Sequence, residues 1–152
     1  MPIKTIDSRI DIQASPDQIW QVLTDWPSYP YWNPFIVGLH GKLQRGARLC
    51  VTVHPPQARR MTFRPTLIEL EPGLKLVWRG TLLAQPLFCG VHAFELEVLD
   101  AGTTRLYQRE TFQGLLTPLF SETLLNHTRN GFLGMNEAVK KRAETLASTG
   151  TA

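Results

Sequence analysis

Cysteine is scarce in this 152-residue chain: Cys50 and Cys89 are the only two. They stand too far apart for a CxxC pair and too few for a disulfide framework, so reduced thiols are expected. No leader-like segment comes before the first expected strand, which points to a cytoplasmic protein. No apolar run approaches the roughly 20 residues of a membrane span. A strong excess of one charge is also missing, with 16 Lys and Arg against 13 Asp and Glu for a net charge of +3. The densest basic run, Lys140-Lys141-Arg142, falls near the end of an expected helix, where cations complement the helix dipole. A nucleic-acid partner is therefore not expected. There is no glycine-rich phosphate loop, no Gly-x-Ser-x-Gly elbow and no His-Glu-x-x-His. The histidines, His40, His54, His92 and His127, keep no ligand spacing, so neither a metal nor a cofactor is expected. Asn126-His127-Thr128 fits a glycosylation pattern but lies inside an expected helix.

What is present begins with one stretch, Ser15 to Ile36. Ser15 suits a helix cap, Pro16 the first helical position, and Gln18 the third position of a capping box. Ile19, Trp20, Val22, Leu23 and Trp26 form one apolar stripe, which Pro27 ends. The following residues, rich in proline and aromatics, suit a second short helix or tight turn. Three of the four tryptophans lie here, so the segment must close against another element.

The rest of the chain reads as strands and one long helix. Ile6, Ser8, Ile10 and Ile12 alternate with polar residues, as in a half-buried strand. A short strand and a turn are expected within 38–46, and further strands at 48–54, 61–70, 75–81, 88–99 and 103–113, with Pro65 marking an edge or a bulge. The apolar stretch 82–87 has no clean period and reads as a loop at the mouth of the fold. From Leu119 to Leu146 the spacing is helical, and Ala147 onward is expected to fray. Seven strands joined by short turns imply an antiparallel sheet with one face covered. The expected fold is α+β: a seven-stranded curved antiparallel sheet wrapped around a long C-terminal helix, with two short helices after strand 1. One domain over 1–147 and a disordered tail over 148–152 are expected. A helix across a curved sheet leaves a gap, and a pocket is expected there.

Several motifs carry a family likeness. These are the Ser-Pro helix start, Asp25-Trp26-Pro27 with Tyr29 and Trp32-Asn33-Pro34, and His92-x-Phe94-x-Leu96-Glu97. Gly102-Thr103-Thr104-Arg105, Glu110-x-Phe112 and Gly131-Phe132-x-x-Met135-Asn136 continue the pattern. Together they resemble the polyketide cyclase/dehydrase-like branch of the START and Bet v 1-like superfamily over nearly the whole chain. The resemblance implies a helix-grip fold. That superfamily holds carriers, enzymes and proteins without known activity, so fold does not fix function. Three readings follow. The chain binds a lipid, polyketide or aromatic compound; it is a cyclase, aromatase or dehydratase using pocket acid/base groups without a cofactor; or it is a co-chaperone-like interaction module. A monomer or homodimer is compatible with each.

Alternation places His92 on one face with Phe88 and Phe94, where an imidazole can serve as acid, base or donor, or simply be a bonded core residue. Glu110 shares the inner face of the next strand with Leu106, Gln108 and Phe112, and a carboxylate there needs a partner. His92, Gln108 and an inward-turned Arg79 are the candidates. Pairing through Asp100-Ala101-Gly102, with Gly102 left-handed and Leu99 opposite Thr103, sets His92 against Glu110. His92 and Glu110 are thus the candidate catalytic pair. The candidate ligand-binding residues are Trp32, Trp78, Phe88, Phe94, Gln108, Phe112, Leu116, Phe120, Leu124, Thr128, Phe132 and Met135. Loop leucines, among them Leu83, Leu87, Leu115 and Leu116, are expected to close the mouth or meet a second subunit.

Overall fold

The computed structural model describes residues 3–81 and 87–149. Strand β1 (Ile3–Ile12) buries Ile6, Ser8 and Ile12 as its alternation requires. Helix α1 (Pro16–Thr24) starts with the expected reciprocal cap. The Gln18 amide donates to Ser15 Oγ at 3.2 Å, and the Gln18 side chain accepts from the Ser15 amide at 2.9 Å. A 3-10 turn at 26–28 leads into the short helix α2 (Tyr29–Trp32), whose Tyr29 hydroxyl donates to the Leu23 carbonyl. Burial holds that phenol well above its ordinary range.

Seven more strands follow: β2 (Ile36–His40), β3 (Cys50–Val53), β4 (Met61–Phe63), β5 (Thr66–Glu71), β6 (Lys75–Thr81), β7 (Cys89–Asp100) and β8 (Thr103–Gln113). The seventh expected strand count becomes eight because Pro65 divides the 61–70 segment into β4 and β5. Proline offers no amide to a ladder, and the chain changes sheets at that point. The strands form two antiparallel sheets, a curved one ordered β1-β8-β7-β6-β5 and a small one ordered β2-β3-β4. They meet where the Leu49 amide donates to the Pro65 carbonyl at 2.8 Å and the Leu67 amide to the Ala47 carbonyl at 2.9 Å. The expected loop over 82–87 lies, apart from Leu87, outside the described residues, and so does Leu83.

Helix α3 (Glu122–Ser148), capped by Ser121, packs on β1 and α1 and extends two residues past the expected end at Leu146. Among the described residues no helix is long and apolar enough to cross a membrane. Where α3 meets the larger sheet, Phe132, Met135, Val139 and Ala143 are completely buried against Ile6, Ile12, Leu76, Phe94 and Leu106. Gly131 sets how close the helix comes. A β-carbon there would lie 2.3 Å from the Phe35 ring, so only glycine admits that ring.

Candidate functional site

Hairpin β7–β8 carries the expected register: His92 stands opposite Glu110 and Phe94 opposite Gln108. The turn is built differently from expectation. Asp100 pairs with Thr103, Leu99 is bulged out, and Gly102 has no left-handed backbone. The Asp100 carboxylate accepts from the Gly102 amide at 2.9 Å, closing an Asx turn that does not require positive φ. The bulge absorbs the odd residue and leaves the ladder beyond Val98 in its expected phase.

Between the N-terminal half of α3, the small sheet and the ends of β6–β8 lies a cavity of about 330 Å³. Of the candidate site residues, Trp78, Phe88, His92, Glu110, Phe112, Phe120, Leu124 and Thr128 line it. Phe88, Phe112 and Phe120 form an aromatic wall, with ring centroids 4.7 Å apart for Phe88–Phe120 and 5.8 Å for Phe88–Phe112.

The remaining candidates lie elsewhere. Phe94, Phe132 and Met135 are completely buried in the filled core. Phe94 and Phe132 touch His92 from behind, at centroid distances of 4.8 and 5.1 Å. Gln108 is also fully buried, behind His92 rather than on the cavity surface. Leu116 lies off the wall, its amide bonded to the Leu87 carbonyl at 2.9 Å. Trp32 borders a separate groove between α1, α2 and the far half of α3, with the Arg142 guanidinium 5.1 Å from its ring centre. Arg79 points outward, opposite Val91 in an unbroken stretch of ladder, and is no partner for Glu110. Leu115 and Leu119 are exposed.

Sequence reasoning missed the wall furnished by Phe35, Ile36, Val51, Val53, Pro55, Met61 and Phe63. Alternation in 48–54 sets Leu49, Val51 and Val53 on one face, but nothing local says that the small sheet folds over the cavity. Gly80 and Gly90, directly paired across β6 and β7, also line it. Two side chains are absent there, on the face shared with Trp78 and His92, and the room they leave is part of the cavity.

A chain of buried polar groups fixes His92. The Ser8 hydroxyl donates to the Gln108 main-chain carbonyl at 2.7 Å, so its oxygen accepts from Asn136 Nδ2 at 3.0 Å. Asn136 Oδ1 is then free to accept from Gln108 Nε2 at 2.7 Å, which turns Gln108 Oε1 toward His92 Nε2 at 3.1 Å. A carbonyl oxygen only accepts, so His92 carries its proton on Nε2. Its other nitrogen, Nδ1, faces Glu110 Oε2 across 3.7 Å. That is an electrostatic contact longer than a hydrogen bond, and Oε2 is buried with no hydrogen-bond partner among the described residues. Trp78 stacks on the imidazole at 5.0 Å and 16°. The site therefore joins an apolar, aromatic cavity to one polar corner, a histidine of fixed tautomer beside a buried carboxylate oxygen without a hydrogen-bond partner among the described residues. Among the described residues no group of three His, Cys, Asp or Glu is placed to hold a metal ion.

Comparison with known proteins agrees with this architecture. The Zhui aromatase/cyclase from Streptomyces sp. R1128 superposes with a TM-score of 0.74 at 20% identity, covering 99% of this chain and 100% of that one. A START superfamily protein from Mycobacterium smegmatis gives 0.72 at 19% identity, covering 93% and 98%. Ara h 8.0201 gives 0.71 at 12% identity, covering 95% and 99%. At such identities these likenesses establish the shared START/Bet v 1-like fold. No curated protein matches by sequence. The family model described as polyketide cyclase / dehydrase and lipid transport matches residues 4–148, and the chain belongs to that family.

Proposed function

We propose that the protein binds an apolar or amphipathic small molecule, such as a lipid, polyketide or aromatic compound, between α3 and the sheets. The observation that carries this is the cavity of about 330 Å³ with aliphatic and aromatic walls and one polar corner. Its size lies in the range of small-molecule sites, and its few convergent polar groups are what such sites use to orient a ligand. An uncharged fluorescent probe such as Nile red should bind at one site per chain, with Kd near 1 μM if about −8 kcal/mol is available. Failure of any apolar probe to bind would sink the reading.

A second reading, a cyclase or dehydratase, has its own support in the polar corner. His92 Nδ1 and Glu110 Oε2 converge at 3.7 Å on the cavity wall, where a proton can be taken from or returned to a bound carbonyl compound. In that reading Glu110→Gln abolishes turnover of a poly-β-keto thioester while probe affinity survives. Unchanged turnover would leave the carrier reading alone. The interaction-module reading has less behind it: a filled core would favour it, and a cavity is present.

A further inference from the structure

We infer that the inner end of the cavity is an acceptor site, selecting an uncharged aromatic-sized ligand that leads with a hydroxyl donor, a phenol or an enol. This deepens the proposed small-molecule binding and rests on it. Two observations carry it. Glu110 Oε2 is buried in the wall without a hydrogen-bond partner among the described residues, a costly arrangement unless something else supplies a donor. His92, whose Nδ1 faces Oε2, has its Nε2–H committed to Gln108 by the chain running back to Ser8.

The charge of this corner does not depend on where a proton rests. With no proton between Nδ1 and Oε2 the pair carries −1, and with one proton on either atom it carries zero. A carboxylate or phosphate headgroup finds no counter-charge in either state. The other polar groups of the wall are occupied or lie outward. Thr128 Oγ1 donates to the Leu124 carbonyl at 2.9 Å, Thr62 pairs with Thr52 at 3.1 Å, and Arg64 and Thr81 are exposed. An anionic end therefore stays outside, beside Arg64, while the hydroxyl end goes in. An ammonium group is a poorer fit, because it brings three donors to a corner that offers Oε2 and Nδ1. A hydroxyl brings one donor for Oε2, and its oxygen can accept from Nδ1 when that atom is protonated. The 3.7 Å gap between the two atoms is too long for their own hydrogen bond, so neither atom satisfies the other. Trp78, stacked on His92, and the Phe88, Phe112 and Phe120 wall supply flat apolar surface for the rest of the molecule.

The test compares naphthalene, 2-naphthol, 2-naphthoate and 2-naphthylmethylamine on the intact protein. We expect 2-naphthol to bind about tenfold tighter than naphthalene, the scale of one hydrogen bond to a charged acceptor. In Glu110→Leu that preference should vanish with naphthalene affinity kept, which also shows that the variant is folded. Glu110→Gln, closer in shape, should narrow the preference if the leucine variant does not fold. In Arg64→Gln, 2-naphthoate should bind at least about tenfold more weakly than 2-naphthol. Equal affinity for naphthalene and 2-naphthol overturns this inference and leaves the cavity reading standing. Tighter binding of the amine, or naphthoate matching naphthol in Arg64→Gln, overturns it as well. If no compound binds, the small-molecule reading falls and takes this inference with it.

Discussion

The two halves of α3 meet the sheet in different ways. Along 122–130 the helix buries only Leu125, and cavity lies beneath Leu124 and Thr128. From Gly131 onward it buries Phe132, Met135, Asn136, Val139 and Ala143, and the gap is filled. The division falls at Phe35, whose ring rests on Gly131 and lies 5.4 Å from Phe132. The filled half is also tied by charge. Arg105 bonds Asp11 at 2.7 and 3.1 Å, Lys140 reaches the Asp11 carbonyl at 3.0 Å, and Glu144 accepts from the Gln13 amide at 2.8 Å. One half of the helix thus holds the molecule together, while the other half roofs a space the sheet does not fill. Stability and binding are consequently separable, and substitutions can be chosen to show it.

The largest effect should come from opposed truncations of phenylalanine. Phe132→Ala empties a completely filled site and should cost about 3–5 kcal/mol, read from denaturant midpoints. Phe112→Ala removes a ring that already borders a cavity, and should cost about 1–2 kcal/mol because fewer packing contacts are lost. Equal losses would erase the contrast between the halves.

Next comes the polar chain that crosses from the filled half to the cavity. Asn136→Leu removes the donor to the Ser8 hydroxyl oxygen and leaves the Gln108 amide only its 3.5 Å bond to the Phe132 carbonyl, and should cost about 2 kcal/mol. It should also release the tautomer of His92, so the ¹⁵N shifts of that imidazole should move toward a mixture. A stability loss with unchanged imidazole shifts would mean that the chain is structural only.

Gly90→Leu tests the open half directly. A β-carbon at Gly90 would lie 3.6 Å from the Phe112 ring, an ordinary contact, so stability should change by no more than about 1 kcal/mol. The added side chain would occupy cavity space, and probe binding should be lost. Retained binding at full affinity would place the ligand elsewhere.

The smallest effect is in acid. Hydrogen bonds from Arg105 hold the Asp11 carboxyl below its ordinary range. At Glu144 burial acts in the opposite direction, but bonds from Lys140 and the Gln13 amide outweigh it and lower that carboxyl too. Both groups are more acidic folded than unfolded, so their stabilisation is present above about pH 4 and is lost as the pH falls through the depressed values. Amide protection, taken relative to the intrinsic exchange rate at each pH, should therefore fall around Gln13 and the 140–144 turn on acidification before it changes at Phe112. The reverse order would contradict the placement of these ties.

Local chemistry made much of this protein legible from its residues. The capping box at Ser15 and Gln18, the inward face of β1, and the opposition of His92 to Glu110 all depend on contacts within a few residues or across one short turn. Even with the turn misjudged at Leu99 and Gly102, the register held, because the inner faces of β7 and β8 must both bury their even-numbered residues. The strand count failed at Pro65, where the break was marked in the sequence but its consequence, a change of sheet, was not. Only the tertiary structure decided which inward residues see empty space. Phe94, Gln108 and Phe112 share a face, yet the first two are sealed under α3 and the third opens on the cavity. The distance between helix and sheet sets that difference, and it is governed by Gly131 against Phe35 and by the missing side chains of Gly80 and Gly90. Those contacts join residues far apart in the chain, and no periodicity in a single strand or helix records them.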